Sequence, residues 1–196
     1  DHFEFFHPEP SGFKRYLVGD SYSFSDRPVV YRTLVIPINL EPGDHTFYFK
    51  IQSQGVIAVP LTGWGKASFE HHRDLDLVLN WLYYGLMLAT VIYCFLLFIG
   101  MRESVFLFLG LFVSGITLFT MAHTGMASQY LWPDSPAWNN LCHPLFGFTG
   151  IFGCLQFSRF FLNTKNDAPA FDKLFKILIL LTVILCLSAL FVPYRF

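Results

Sequence analysis

Charged residues are spread unevenly along the chain, and the gaps between them predict its architecture. Positions 1–76 contain 17 charged residues, whereas the longer part at 77–196 contains 10. Four stretches of that second part lack any charge: 77–101, 104–133, 135–158 and 177–194. Since about 20 apolar residues suffice for a helix to cross a bilayer, each stretch can hold one span. We expect spans at about 79–100, 104–122, 141–158 and 175–192.

The N-terminal part alternates with a period of two instead. More polar residues alternate with apolar ones from Thr46 to Gln52, which predicts a half-buried strand. Further strands are expected at Val29–Ile36 and Val56–Leu61, joined by short turns, with Phe13–Val18 as a fourth. The predicted fold is therefore an all-β domain at 1–70 followed by a helical membrane bundle at 71–196. Because such a small domain has a thin core and no cysteine, it either leans on the membrane part or begins before this chain.

Composition agrees with a membrane protein. Hydrophobic residues make up 54% and charged residues 14%, whereas a soluble domain usually has about 25% charged residues. This excludes a freely soluble or disordered chain and makes the lipid bilayer the first expected partner. The 13 basic and 14 acidic residues nearly balance, so no nucleic acid partner is expected. A second copy of the chain is a further expected partner, in a homodimer formed through the full-length protein.

Lysine and arginine in the short loops predict the orientation, because they favour the cytoplasmic side. Arg102 lies in the first predicted loop, and the second loop at 123–140 has neither residue type. The basic residues that flank or fill the third loop are Arg159, Lys165, Lys173 and Lys176. We therefore expect cytoplasmic first and third loops, an external second loop and an external β domain.

Small residues recur at four-residue spacing in two predicted spans. Such spacing lets helix backbones approach closely. The expected packing positions are Gly110, Ser114, Gly147, Gly150, Cys154 and Ser158. A ligand or ion cavity lined by these residues is the alternative.

No catalytic constellation appears in the sequence. His71, His72, His123 and His143 fall on the predicted external side, but the first two are adjacent and no HExxH motif occurs. Zinc needs three or four converging ligands, so we expect no metal and no cofactor. The four cysteines (Cys94, Cys142, Cys154 and Cys186) lie in the apolar part and read as small apolar residues in helices.

Three aromatic residues are candidate ligand contacts. Trp64 suits either a sugar-stacking platform or, as we favour, an anchor at the membrane interface. Tyr130 and Trp132 lie in the unusually apolar second loop, which reads as an interfacial cover or as a ligand-contacting loop. The function therefore stays open between a receptor, a transporter or its accessory subunit, and a membrane enzyme with an external histidine metal site. A transporter would predict polar groups at mid-membrane and an internal repeat, and neither is visible.

Several segments, taken in order, resemble one known family. In the β domain they are 19–20, Phe24–Pro28, Val35–Ile38 and Thr46–Ser53. In the membrane part they are Tyr83–Ala89, Met101–Ser104, Gly125 with Tyr130–Pro133, and Ser158–Leu162. From about residue 15 onward the chain resembles the bacterial seven-transmembrane receptors with diverse intracellular signalling modules.

The resemblance implies a periplasmic sensor domain of the jelly-roll type, similar to carbohydrate-binding domains, and seven helices in the inner membrane. It also implies a cytoplasmic output module such as a histidine kinase, a diguanylate cyclase or a phosphatase-like domain. The chain departs from the family pattern at both ends, with an incomplete jelly roll, four of seven helices and no output module. It is therefore interpreted as a receptor fragment that is not itself an enzyme, sensing an unknown small ligand.

Overall fold

The structure is a computed structural model that describes residues 2–9, 12–19, 22–52 and 59–191. The chain divides into two compact units. The first unit contains residues 1–62 and also residues 124–140, which lie far away in sequence. The helical unit contains residues 63–123 and the described residues from 141 onward. A segment between two helices is therefore part of the N-terminal unit.

The first unit is built on one antiparallel sheet. Its strands are β1 (His2–Glu9), β2 (Gly12–Val18) and β3 (Tyr48–Gln52), in the order β2-β1-β3. Phe5 of the central strand pairs with Tyr16 on one side and Phe49 on the other. Its ring is 2% exposed and contacts both of those rings and Phe47. Phe5 is therefore the buried centre of an aromatic cluster on this face of the sheet.

The other face of the sheet carries a buried acid. Glu4 accepts a salt bridge from Arg15 at 3.0 Å and another from Lys50 at 3.4 Å. Burial raises the pKa of this carboxyl, but the hydrogen bond and charge of Arg15, together with Lys50, outweigh it and leave the pKa lowered. The two flanking strands are thus tied to the central one by charge as well as by the backbone ladder.

The strand predictions are correct only in part. Phe13–Val18 is confirmed within β2, and the strand expected at Thr46–Gln52 is confirmed from Tyr48. The prediction of a strand at Val29–Ile36 is wrong: the segment pairs with none of the described strands, and the carbonyls of Tyr31 and Arg32 accept hydrogen bonds from the Arg27 side chain instead. Of Val56–Leu61, residues 56–58 lie outside the described residues and 59–61 form no strand.

The sheet also differs from the expected row of three consecutive strands. Its central strand is His2–Glu9. The run HFEFFHPE has aromatic residues on both faces, so it lacks the polar–apolar alternation that predicts a strand. The described strands make one sheet, so the jelly roll stays a prediction.

The helical unit is dominated by long helices. They are α1 (Lys66–Met101), α2 (Ser104–His123), α4 (Pro136–Phe161) and α6 (Pro169–Phe191). Two short helices lie in the connections: α5 (Thr164–Asp167) within this unit, and α3 (Met126–Tyr130) in the segment that belongs to the first unit. Among the described helices, α1 and α2 are long and apolar enough to cross a membrane. The third and fourth spans stay predictions.

Glycine allows α2 and α4 to approach closely. A Cβ on Gly115 would collide with the backbone of Gly150, and one on Gly153 would lie 2.5 Å from the backbone nitrogen of Phe112. Gly150 itself was an expected packing position, whereas Gly115 and Gly153 were missed. Gly147, Gly150 and Gly153 follow one another at three-residue spacing. Residues at this spacing share a helix face, so the spacing is the sequence pattern that indicates Gly153 as a packing position.

The other expected packing residues have different surroundings. A Cβ on Gly110 would lie 3.2 Å from the Cβ of Cys94 in α1, and one on Gly147 would lie 3.5 Å from the Phe119 ring. Ser114 and Ser158 each donate a hydrogen bond to a carbonyl of their own helix four residues earlier, on Gly110 and Cys154.

Candidate functional site

The first unit holds a contact between two segments about 100 residues apart, 22–32 and 124–139, which we call the clasp. The backbone N–H of Phe24 donates to the carbonyl of Pro133 at 2.9 Å. The hydroxyls of Ser23 and Ser25 both donate to Oδ1 of Asp134 at 2.7 Å. These hydrogen bonds lower the pKa of the Asp134 carboxyl, because they stabilise its charged form.

Local structure sets this geometry. Ser23 is the N-cap of a short 3-10 helix, Phe24–Asp26, and its hydroxyl oxygen accepts from the Ser25 N–H at 3.4 Å. The turn directs both serine hydroxyls at one carboxylate oxygen. Phe24 is only 5% exposed, and the Arg27 guanidinium lies 4.3 Å from its ring centre. The turn is therefore fixed by an apolar anchor as well as by polar groups.

A second point of the clasp requires glycine. Gly125 has φ of +79°, and a Cβ there would lie 2.6 Å from the carbonyl oxygen of Arg32. Arg32 in turn donates from Nη1 to the carbonyl of Thr124 at 3.3 Å. Gly125 starts α3, in which Met126 and Ala127 have no exposed surface. The loop thus gives buried apolar residues to the N-terminal unit, which is how so small a domain enlarges its core.

The clasp is packed and leaves little empty space. Trp132 donates from Nε1 to Oδ1 of Asn139 at 3.3 Å and meets Trp138 edge to face at 6.2 Å. A cavity of about 20 Å³ remains beside Phe24, Arg27 and Trp132. A cavity of this size holds about one water molecule, so it is not the pocket of a small organic ligand.

The candidate ligand contacts fall in different places. Trp132 lines the small cavity of the clasp, and Tyr130 lies at the end of α3 with 43% exposure. Trp64 belongs to the helical unit, where its ring stacks on His72 with centroids 4.7 Å apart. Their roles in ligand binding stay predictions.

The histidines expected on the external side do not converge into a ligand set. His123 and His143 have ring centroids 6.4 Å apart, and Phe119 lies against both. His72 is stacked on Trp64 instead. Within the described ranges, no group of three His, Cys, Asp or Glu side chains could hold a metal ion.

The predicted topology residues have distinct settings. Arg102 ends α1 in a left-handed conformation, with φ of 55°. Arg159 and Lys176 both bind the buried carboxylate of Asp172, at 2.9 and 2.8 Å, whereas Lys165 and Lys173 are exposed. Hydrogen bonds from Lys176 and Arg159 lower the pKa of Asp172 to about 2.

The serines and the aspartate of the clasp were not found from the sequence. One signal was present, since Asp134 is the single charged residue between Glu103 and Arg159. An isolated charge in an apolar stretch needs polar partners, but the sequence gives no indication that they lie near residue 24. Ser23 and Ser25 carry no distinguishing pattern of their own.

Comparison with known proteins agrees with this organisation. The family model described as 7TM diverse intracellular signalling matches residues 76–196. The model described as 7TMR-DISM extracellular 2 matches residues 1–65. No curated protein and no solved structure matches the chain. The chain therefore belongs to the seven-transmembrane receptors with diverse intracellular signalling modules.

Proposed function

We propose that this receptor transmits the state of its extracellular β domain to the membrane helices through the clasp. The observation that carries the proposal is the hydrogen bonding of Ser23 and Ser25 to Asp134, a residue of the connection between α2 and α4. Since the connection continues directly into both helices, a displacement of the turn at residues 23–26 pulls on their ends.

The polar part of the clasp is suited to switching. Asp134 is exposed, and its partners are neutral hydroxyl groups. Water can replace such hydrogen bonds at small net cost. Phe24 on one segment of the clasp and Met126 and Ala127 on the other are buried, and these apolar anchor residues resist exposure to water. We propose that the hydrogen bonds change between two states while the apolar anchor holds.

A second path runs through α1. This helix begins at Lys66, 13 residues before the expected start of the first span at residue 79, and has 36 residues in all. At about 1.5 Å per residue it is roughly 54 Å long, against a hydrocarbon core of roughly 30 Å. The part before the span is thus a rigid lever, and Trp64 stacked on His72 fixes its beginning.

Signalling requires that the ligand favour one of two states. We propose a small ligand, with a carbohydrate-like molecule as the first class to test. We place the β domain in the periplasm of a bacterial cell, with the first and third loops on the cytoplasmic side of the inner membrane. The output is proposed to be a cytoplasmic kinase or cyclase module of the full-length protein.

The clasp variant Ser23→Ala/Ser25→Ala tests the transmission path, with Ser68→Ala on the exposed surface of α1 as the matched control. The double variant should change the basal output of the full-length receptor at an unchanged amount in the membrane. The control should behave as wild type. A long Gly/Ser insertion near His72 tests the α1 path and should also change the output. Unchanged output in both the clasp variant and the insertion would contradict the proposal.

Orientation has its own test. A reporter fused at Asn166 should give a cytoplasmic signal, because this residue lies in the third predicted loop. A periplasmic signal would reverse the proposed topology and would place the β domain on the wrong side for an external ligand.

A further inference from the structure

The turn between α4 and α6, residues 159–176, combines a fixed charge cluster with exposed apolar rings. Arg159 donates from both Nε and Nη2 to Oδ1 of Asp172 at 2.9 Å, and Thr164 donates to the same oxygen at 3.2 Å. Lys176 binds Oδ2 at 2.8 Å. Asp172 and Thr164 are 5% and 3% exposed. Both carboxylate oxygens are occupied, so the turn is held in one shape.

The turn retains positive charge after this pairing. It contains four basic and two acidic residues, which leaves a net charge of plus two. Asp167 accepts a hydrogen bond from Asn163, while Asp172 is used by Arg159 and Lys176. Lys165 and Lys173 are exposed, and no carboxylate within the described ranges pairs with either. These two ammonium groups are available to an anion.

Large apolar side chains surround the same turn. Phe161 is 65% exposed, Leu162 57% and Phe171 63%. If the turn faced only water, these apolar side chains would remain hydrated, which is unfavourable in free energy. At the boundary of a bilayer, aromatic rings enter the headgroup region while lysines reach the phosphates. The mixture therefore favours a lipid over a soluble anion.

We propose that the α4–α6 turn binds the headgroup of an anionic phospholipid. Lys165 and Lys173 contact the phosphate, and Phe161 and Phe171 insert beside the upper acyl chain. The Asp172 cluster acts indirectly by keeping the turn in shape. This site is separate from the clasp; it rests on the proposed membrane topology, with α4 and α6 as spans, and not on the proposed transmission path.

Binding of fluorescent phosphatidylglycerol and phosphatidylcholine to the purified chain in neutral mixed micelles tests the site. Wild type should prefer phosphatidylglycerol, and Lys165→Gln/Lys173→Gln should reduce that preference by about 25-fold, at about fivefold for each lysine. Lys66→Gln, at the exposed start of α1, is the matched control and should retain the preference. An equal loss in the control, or no loss in the double variant, would overturn the proposal.

Two further arms identify the source of the anion. Inorganic phosphate at the lipid concentration should leave phosphatidylglycerol bound, because it lacks the acyl chain that the rings contact. Phe161→Ser/Phe171→Ser should weaken the binding of both lipids. If inorganic phosphate displaced phosphatidylglycerol, the lysines would bind a soluble anion. If the ring variant bound both lipids as wild type does, the rings would serve another partner, such as a protein. Either result would overturn the lipid site. Circular dichroism should show unchanged helix content in each variant, since the substituted side chains are exposed.

Discussion

Two aspartates organise contacts in the two units of this receptor, and their settings are opposite. Asp134 in the clasp is exposed and accepts from two neutral hydroxyls that lie 109 and 111 positions away. Asp172 in the α4–α6 turn is 5% exposed and binds two cations that lie 13 and 4 positions away. The first contact is distant in sequence and weak, whereas the second is local and strong.

This difference in burial and charge suggests that the Asp134 contact can break and re-form, whereas the Asp172 contact stays intact. The contact between Asp134 and the two serines closes a loop of about 110 residues, which costs conformational entropy. The hydrogen bonds of Ser23 and Ser25 offset only part of that cost. A buried carboxylate with two cationic partners is costly to separate, because each charge would lose its counterpart. We therefore expect the signal to alter the clasp and to leave the α4–α6 turn intact.

The largest loss of stability is expected for Asp172→Ala. Arg159, whose side chain is 17% exposed, would be left largely buried without its carboxylate partner, whereas Lys176, whose side chain is 58% exposed, would be solvated by water. Thermal unfolding followed by tryptophan fluorescence should show a marked drop in midpoint. Asp167→Ala removes an exposed acid from the same turn and should change the midpoint little. Equal midpoints for the two variants would show that the buried cluster does not stabilise the turn.

Gly125→Val should have the next largest effect and should act on the clasp. The new side chain would be strained at φ of +79° and would collide with the Arg32 carbonyl. We expect a loss of about 3 kcal/mol in the free energy of unfolding. Gly63→Ala has open space around it and is the control. Chemical denaturation in mild detergent measures both, and a wild-type value for Gly125→Val would contradict the clasp geometry.

A smaller effect is expected from acid. Hydrogen bonds from Lys176 and Arg159 lower the pKa of Asp172 from 3.8 to about 2. Because the folded pKa is lowered, the stabilisation is fully present above about pH 4 and is lost as pH falls towards 2. The difference in midpoint between wild type and Asp172→Ala should therefore narrow between about pH 4 and about pH 2. A constant difference across this range would mean that the charge of Asp172 is not the cause.

The smallest effect on stability is expected for Ser23→Ala/Ser25→Ala. Water can satisfy the exposed acceptor on Asp134, and the cap that Ser23 provides is a long hydrogen bond of 3.4 Å, so the unfolding midpoint should fall only slightly. The pKa of Asp134 should rise towards its ordinary value, because the two hydrogen bonds that lower it are gone. Carboxylate titration by isotope-edited infrared spectroscopy with labelled aspartate would measure this change. An unchanged pKa would show that the two serines do not donate hydrogen bonds to Asp134.

The first two membrane helices and parts of the sheet could be predicted from the sequence, whereas the clasp could not. The apolar stretches that predict the first two spans correspond to α1 and α2, because helix formation in an apolar segment depends on local composition. Val29–Ile36 has strand-forming residues, yet the Arg27 side chain donates to the carbonyls of Tyr31 and Arg32. Arg32 in turn donates to the carbonyl of Thr124, 92 positions away. One local and one distant contact therefore override the strand propensity there.

The measurement that tests the transmission path most directly is the output of the full-length receptor with the clasp locked. Ser25→Cys/Asp134→Cys places two thiols where the native oxygen atoms meet at 2.7 Å, so that a short reducible crosslinker can join them. The account predicts that crosslinking fixes the output at a level different from the uncrosslinked protein and that reductant reverses the change. In Ser25→Cys alone and in Asp134→Cys alone, treatment with the crosslinker should leave the output unchanged. Identical output before and after crosslinking, with the crosslink verified, would contradict transmission through the clasp.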